Sequence, residues 1–167
     1  MRGFTLIEIV VSTFILSLLI AGIFMVLYLG DLSWRQDLVL LDLQQGSRLV
    51  MEGMSRELRG GKPSSISITL EGKKIIFSIE GLSQPISYYL NDDNQIIREY
   101  PPNTTRIIAN NIENLDFCCL GGSDCYDCSY AHSVKIKLKA HKKVKQKDIW
   151  FPFQDKFLIQ KVRLRND

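Results

Sequence analysis

The chain has 167 residues and a mass of 19.1 kDa, is 46% hydrophobic and 23% charged, and carries a formal net charge of +3. Once an apolar amino-terminal segment is set aside, roughly 135 residues remain, a size that suits one soluble domain and leaves no room for several. Catalysis finds little support: the two histidines, His132 and His141, flank a lysine-rich stretch with no nucleophile or acid in a recognisable arrangement.

The first element is the apolar run. From Ile9 to Gly30 there is no charged residue, and such a run is long enough to cross a bilayer as a helix. A secretory signal has a shorter apolar core followed by small residues. Here Leu19 and Ile20 fill the positions before Ala21-Gly22 where small residues are needed. The one tight Gly-Phe junction, Gly3-Phe4, lies ahead of the run, so a cut there would keep the whole apolar segment on the mature chain. Arg2 makes the amino-terminal flank basic, which keeps it cytoplasmic and sends the chain from Asp31 onward to the other side. A plain anchor would explain all this except Glu8. An acid in mid-membrane costs about 2.5–3.5 kcal/mol, less near the end of a span, and it needs a partner.

Gly3-Phe4-Thr5-Leu6-Ile7-Glu8 with the run behind it resembles the processing site of type IV prepilins and type II secretion pseudopilins, over residues 2–30. The resemblance implies that a prepilin peptidase cuts between Gly3 and Phe4 and methylates the new Phe4 amine. It implies that Glu8 then pairs with the Phe4 amine of a neighbouring subunit as the helix leaves lipid for a fibre. It further implies other major and minor pilins or pseudopilins and an inner-membrane assembly platform as partners. The location implied is a single pass through the bacterial inner membrane, with the amino terminus cytoplasmic, and then a pilus or pseudopilus. The physics agrees: an amine and a carboxylate attract strongly in low dielectric, and pairing removes the penalty of an isolated buried charge.

The helix is expected to continue past the membrane. No proline falls between Asp31 and Arg59, and Leu32, Val39, Leu43, Val50, Met54 and Leu58 lie on one face. Asp31–Arg35 and Glu52–Arg56 are spaced as i,i+4 ion pairs. Gly60-Gly61 followed by Pro63 is a stop signal. A helix of this span would run about 80 Å. A second stripe, Trp34, Leu38, Leu41 and Leu49, lies roughly opposite the first. It either packs under loops of the head or meets helices of adjacent subunits.

Beyond Pro63 the period changes to two. Residues 65–70 and 73–80 read as a hairpin around Glu71-Gly72, and 85–90 and 95–100 as a second across Asn91-Asp92-Asp93-Asn94. Residues 112–120 alternate with Leu115, Phe117 and Cys119 on one face. Residues 132–141 alternate with Val134, Ile136, Leu138 and Ala140 inward, and 157–164 close the chain with Ile159, Val162 and Leu164 apolar. Five to seven strands with short turns predict an antiparallel sheet packed on the carboxy half of the helix, an α+β, pilin-like fold. The organisation expected is a leader at 1–3, a transmembrane and fibre-core helix at 4–30, its amphipathic continuation at 31–61, and a β head at 62–167 with a cysteine-stapled loop at 118–128. The head also resembles minor pilins of the PilW/PilX-associated type and J-type minor pseudopilins. The stretches that carry this are Ser55-Arg56-Glu57-Leu58-Arg59, Ile86-Ser87-Tyr88-Tyr89-Leu90, Ile112-Glu113-Asn114-Leu115-Asp116-Phe117 and Val162-Arg163-Leu164-Arg165-Asn166. The Arg-Leu-Arg-Asn ending leans toward the PilW-like group.

Cys118, Cys119, Cys125 and Cys128 form a tight cluster. Outside the cytoplasm such cysteines oxidise, and four of them allow three connectivities. Four thiolates could instead bind zinc, but adjacent cysteines on a strand point to opposite faces, so structural disulfides are favoured. A redox-active Cys125-x-x-Cys128 lacks a thioredoxin-like setting, and Asp124 and Asp127 are weak grounds for calcium. No metal or cofactor is expected. Lys135, Lys137 and Lys139 alternate with inward residues and suit a solvent face. Lys142, Lys143, Lys145 and Lys147 look like a loop and form a candidate DNA or anion patch, although no interleaved aromatic supports base stacking. The function expected is that of a minor pilin-like structural subunit, not an enzyme, that joins or primes a type IV pilus fibre. The alternatives are a J-type type II secretion pseudopilin and a DNA- or surface-binding adhesin module.

Overall fold

The computed structural model describes residues 5–69, 71–121, 125–128, 131–145, 147–152 and 155–164. One helix, α1, runs from Leu6 to Arg59. It is unbroken because no proline interrupts it, and it ends where the glycines begin: Gly60 and Gly61 N–H donate to the carbonyls of Glu57 and Leu58, both at 3.0 Å. The chain forms two compact units, residues 1–38 and 39–167. In the first, every apolar side chain from Leu6 to Leu29 is exposed. The window of highest hydropathy in α1 lies near the amino terminus and none of it is buried, so its length and composition suit a membrane span.

The second unit holds the core. Among the described residues, nine strands follow a short 3-10 turn at Pro63–Ser65: β1 (Ser67–Thr69), β2 (Lys74–Phe77), β3 (Ile86–Leu90), β4 (Ile96–Glu99), β5 (Thr105–Ala109), β6 (Ile112–Leu120), β7 (Ser133–Val144), β8 (Lys147–Phe151) and β9 (Leu158–Arg163). They make two antiparallel sheets where a single one is expected. β1 to β5 form a meander in chain order, while β7 pairs with β6 on one side and with β8 and β9 on the other. Leu43, Val50, Met54 and Leu58 of α1 meet Ile75, Phe77, Ile86 and Ile96 of the first sheet and Leu115, Phe117, Val134, Ile136 and Leu138 of the second in one core. This is an antiparallel β fold on a long helix, as the periodicities predict.

The differences are local. β5 and β8 are strands that the alternation does not announce. The run from Lys142 to Lys147 is not a loop: β7 continues to Val144, and Lys145 at φ +54° makes the turn into β8. Ile159 faces outward, 54% exposed, because Val162 and Leu164 fix the inward face of β9. The helix buries Met51, Ser47 and Ser55 as well as Leu43, Val50, Met54 and Leu58 of the expected stripe, while Leu32 and Val39 are half-buried. The Arg35 Nε–Asp31 Oδ2 pair forms at 2.9 Å, whereas Glu52 and Arg56 do not pair.

The two sheets meet at Gly72. Its φ is +94°, and a Cβ there would collide with Asp116 and sit 3.0 Å from Tyr126, so only glycine fits the approach. In return its carbonyl accepts the Phe117 N–H at 2.8 Å, which ties the β1–β2 turn to β6.

Candidate functional site

The carboxylate in the apolar run has a local partner. Thr5 precedes the first helical residue, and its hydroxyl accepts the Glu8 N–H at 3.4 Å. Glu8 Oε2 reaches back to accept the Thr5 N–H and the Thr5 hydroxyl, both at 3.1 Å. This reciprocal arrangement is a capping box, which satisfies donors that a helix start leaves without intrahelical partners. A carboxylate there also complements the positive end of the helix dipole. The signal is present in the sequence as Thr5-x-x-Glu8 ahead of an apolar run. Gly3 and Phe4 lie outside the described residues. Further along, Ser12, Thr13 and Ser17 turn their hydroxyls onto helix carbonyls three or four residues back, so these polar groups are satisfied within the helix.

The second stripe stays open. Leu41 and Leu49, 50% and 70% exposed, are not packed under the described loops of the head, and Trp34 and Leu38 are exposed in the first unit.

The four cysteines form two disulfides, Cys118–Cys125 and Cys119–Cys128. With every sulfur bonded, no thiolate remains for zinc. Adjacent positions on β6 send their bonds to opposite faces, so the loop is fastened on both sides of the strand. Asp124 lies outside the described residues.

The four candidate lysines lie along the β7–β8 hairpin, where Lys147 opens β8 opposite Val144, on the same face as Lys142. On β7, Lys142 shares the inward parity of Ala140 and sits 3.9 Å from Asp42 of α1, while Lys143 lies on the opposite face and Lys145 in the turn. Lys137 pairs with Asp116 at 3.0 Å and Lys139 with Glu113 at 3.1 Å. An aromatic does interleave, which spacing alone misses. Trp150 of β8 stacks on His141 at 4.0 Å, and Lys139 Nζ lies 4.3 Å from the centre of its ring. His141 in turn bonds Asp148 at 3.0 Å. The cluster satisfies itself and presents no nucleophile.

A second polar cluster joins α1 to the first sheet. Glu57 accepts from Tyr88 Oη at 2.8 Å and from Arg98 Nε at 3.1 and 3.2 Å. Burial first, and then the bond to Glu57 and its charge, push the Tyr88 hydroxyl well above its ordinary range. Burial works against the charge of Arg98, but the Glu57 carboxylate outweighs it and holds the guanidinium more firmly protonated.

Residues 1–24 match the family model described as the prokaryotic N-terminal methylation motif. No curated protein and no solved structure matches the chain. The motif is the signal of type IV pilins and pseudopilins, and it supports a pilin-like chain that prepilin peptidase processes and that assembles with other pilins. It favours a structural subunit over an enzyme, and together with the apolar helix it fits membrane anchoring followed by incorporation into a fibre.

Proposed function

We propose that this chain is a minor pilin-like structural subunit. It waits in the inner membrane as a single-pass protein with its head outside the cytoplasm. Prepilin peptidase removes residues 1–3 and methylates Phe4, and the subunit then enters or primes a type IV pilus fibre as part of a tip or initiation complex. The observation that carries this reading is the methylation motif ending in a helix whose first turn holds Glu8. The capping box means that the carboxylate is partly satisfied before assembly, through one oxygen. A Phe4 amine from a neighbour would meet a charge already oriented at the helix start, which lowers the ordering entropy of pairing. The exposed stripe at Trp34, Leu38, Leu41 and Leu49 supplies apolar area for neighbouring helices, at about 25 cal/mol per Å² covered.

Mass spectrometry of the mature amino terminus tests the processing step. Methylated Phe4 and loss of Met1 to Gly3 are expected; an intact Met1 in cells with active prepilin peptidase would sink the reading. Glu8→Val should insert in the membrane normally and assemble poorly. Electron microscopy and secretion assays on a deletion strain then separate the two fibre types. Loss of surface fibres is expected, and intact fibres with failed protein secretion would assign the chain to a pseudopilus instead.

A further inference from the structure

The first sheet ends at β5, which pairs with β4 on one side only. The phase of that ladder is readable. Tyr100 N–H donates to the Thr104 carbonyl at 3.1 Å, so the bonded positions are Thr104 and, two residues on, Arg106. The register Glu99↔Thr105, Arg98↔Arg106, Ile97↔Ile107 continues unbroken from there. Thr105 and Ile107 therefore turn their N–H and C=O groups away from β4. Both residues are exposed, and among the described residues nothing bonds to these groups. The edge of β6 is different: Phe117 and Cys119 N–H there are taken by the Gly72 and Cys125 carbonyls.

A groove of about 430 Å³ runs between α1 and the first sheet, lined by Leu49, Val50, Gly53, Met54 and Glu57 of the helix, by Tyr88 of β3 and Arg98 of β4, and by Arg106 and Ile108 of β5. A Cβ on Gly53 would meet nothing within 4 Å, so the glycine keeps the helix side open. Charge completes the picture. Arg98 and Arg106 face each other directly across β4 and β5, an arrangement that is unfavourable on its own. Glu57 neutralises Arg98, while Arg106 has no ion pair or hydrogen bond among the described residues. Arg106 is left as an uncompensated positive charge beside an open strand edge and a groove whose apolar part is Leu49, Val50, Met54 and Ile108 and whose carboxylate, Glu57, is already held by Arg98 and Tyr88.

We propose that β5 and α1 together form a docking groove for an extended, acidic segment of another protein chain. The segment adds to the first sheet beside β5, bonds the outward groups of Thr105 and Ile107, lays alternate apolar side chains against Leu49 and Met54, and sets a carboxylate on Arg106. Backbone groups free at every second residue select a partner in the β conformation, since a helix has no such groups to offer. The lone guanidinium selects acid. The proposal goes beyond the fibre reading and does not depend on processing of the amino terminus.

The test uses the full chain in detergent micelles and a blocked heptapeptide, Thr-Val-Thr-Glu-Thr-Val-Thr, followed by fluorescence anisotropy and amide hydrogen exchange. The acidic peptide should bind and slow exchange at Thr105 and Ile107, and a peptide with lysine in place of glutamate should bind about tenfold more weakly, the scale of one charge-assisted pair. Arg106→Glu should reverse that preference. Ile107→Pro removes an outward N–H but no bond of the β4–β5 ladder, so it should abolish binding with little change in melting. If it lowers melting, the reversal in Arg106→Glu decides. Failure of the acidic peptide to bind, an unmoved preference in Arg106→Glu, or protection at another edge would overturn the proposal. Self-association that Ile107→Pro removes would overturn the choice of occupant in favour of a second copy of the chain.

Discussion

Glu57 holds two partners with unequal access to water, and removing it should separate their contributions. Tyr88 is 2% exposed, whereas the Arg98 side chain is 24% exposed. Glu57→Ala leaves the Tyr88 hydroxyl buried with no acceptor, at about 1–3 kcal/mol, and removes a charged hydrogen bond whose value, at a site open to solvent screening, falls near the low end, about 1.5 kcal/mol. The sum is about 2.5–4.5 kcal/mol. Tyr88→Phe removes the hydroxyl together with its need for a partner and leaves Glu57 on Arg98, so it should cost about 1 kcal/mol. Each kcal/mol moves the melting point of a domain this size by about 3–5 °C. Thermal unfolding of the full chain in detergent, followed by near-ultraviolet circular dichroism, should place Glu57→Ala clearly below Tyr88→Phe. Equal losses in the two variants would refute the idea that a stranded hydroxyl dominates. The same network has an alkaline signature. Because the Tyr88 hydroxyl is raised above its unfolded value, its contribution to stability is complete below about pH 10 and is lost as pH climbs toward the folded value. In Glu57→Ala the tyrosinate transition, read by ultraviolet difference absorbance, should move down yet stay above the ordinary range, since burial is the larger cause.

Three further outcomes follow from the fold. Ser47 and Ser55 bury hydroxyls with no hydrogen-bond partner among the described residues, so Ser47→Ala and Ser55→Ala should leave stability unchanged or raise it by up to about 1–2 kcal/mol in urea melts. Gly72→Ala should destabilise by about 1–3 kcal/mol, since the new Cβ meets Asp116 at a positive φ; hydrogen exchange at the Phe117 amide should rise with it. The Glu99 carboxyl is held below its ordinary range, first by the Asn103 N–H, then by Ser87, with Lys74 adding to it. Its contribution is therefore complete above the unfolded value and fades as pH falls through the folded one, and an acid titration of Glu99→Gln should lack that component.

What the residues announce and what they hide divides by range. The helix end at Gly60-Gly61, the inward column Val134, Ile136, Leu138 and Ala140, and the Glu71-Gly72 turn all rest on neighbours in the chain, and local pattern finds them. The capping partner of Glu8 is just as local and follows from Thr5-x-x-Glu8. β5 is hidden because its alternation breaks where the ladder to β4 shifts between Ile96 and Ile97. β8 is hidden because its turn uses Lys145 at positive φ, where glycine or asparagine would give the signal. The choice between one sheet and two depends on β7 pairing with three strands, which no local window holds. The Glu57 cluster spans 31 and 41 positions, and a carboxylate on an otherwise apolar helix face gives no sign of which arginine it will meet.

The two disulfides also decide how the head carries load. The chain that leaves β6 is bonded back to adjacent residues of that strand, by Cys118–Cys125 and Cys119–Cys128, and Cys125 adds a 2.7 Å backbone bond to Cys119. A pull applied at Cys125 or Cys128 reaches β6 through covalent bonds and is handed on to the long antiparallel ladder with β7. When the pull runs along the strands, that ladder is strained in shear, with its hydrogen bonds sharing the force, and does not peel open one rung at a time. Cys125 and Cys128 are thus handles fixed covalently to β6, and tension applied to them is borne by the seam between β6 and β7.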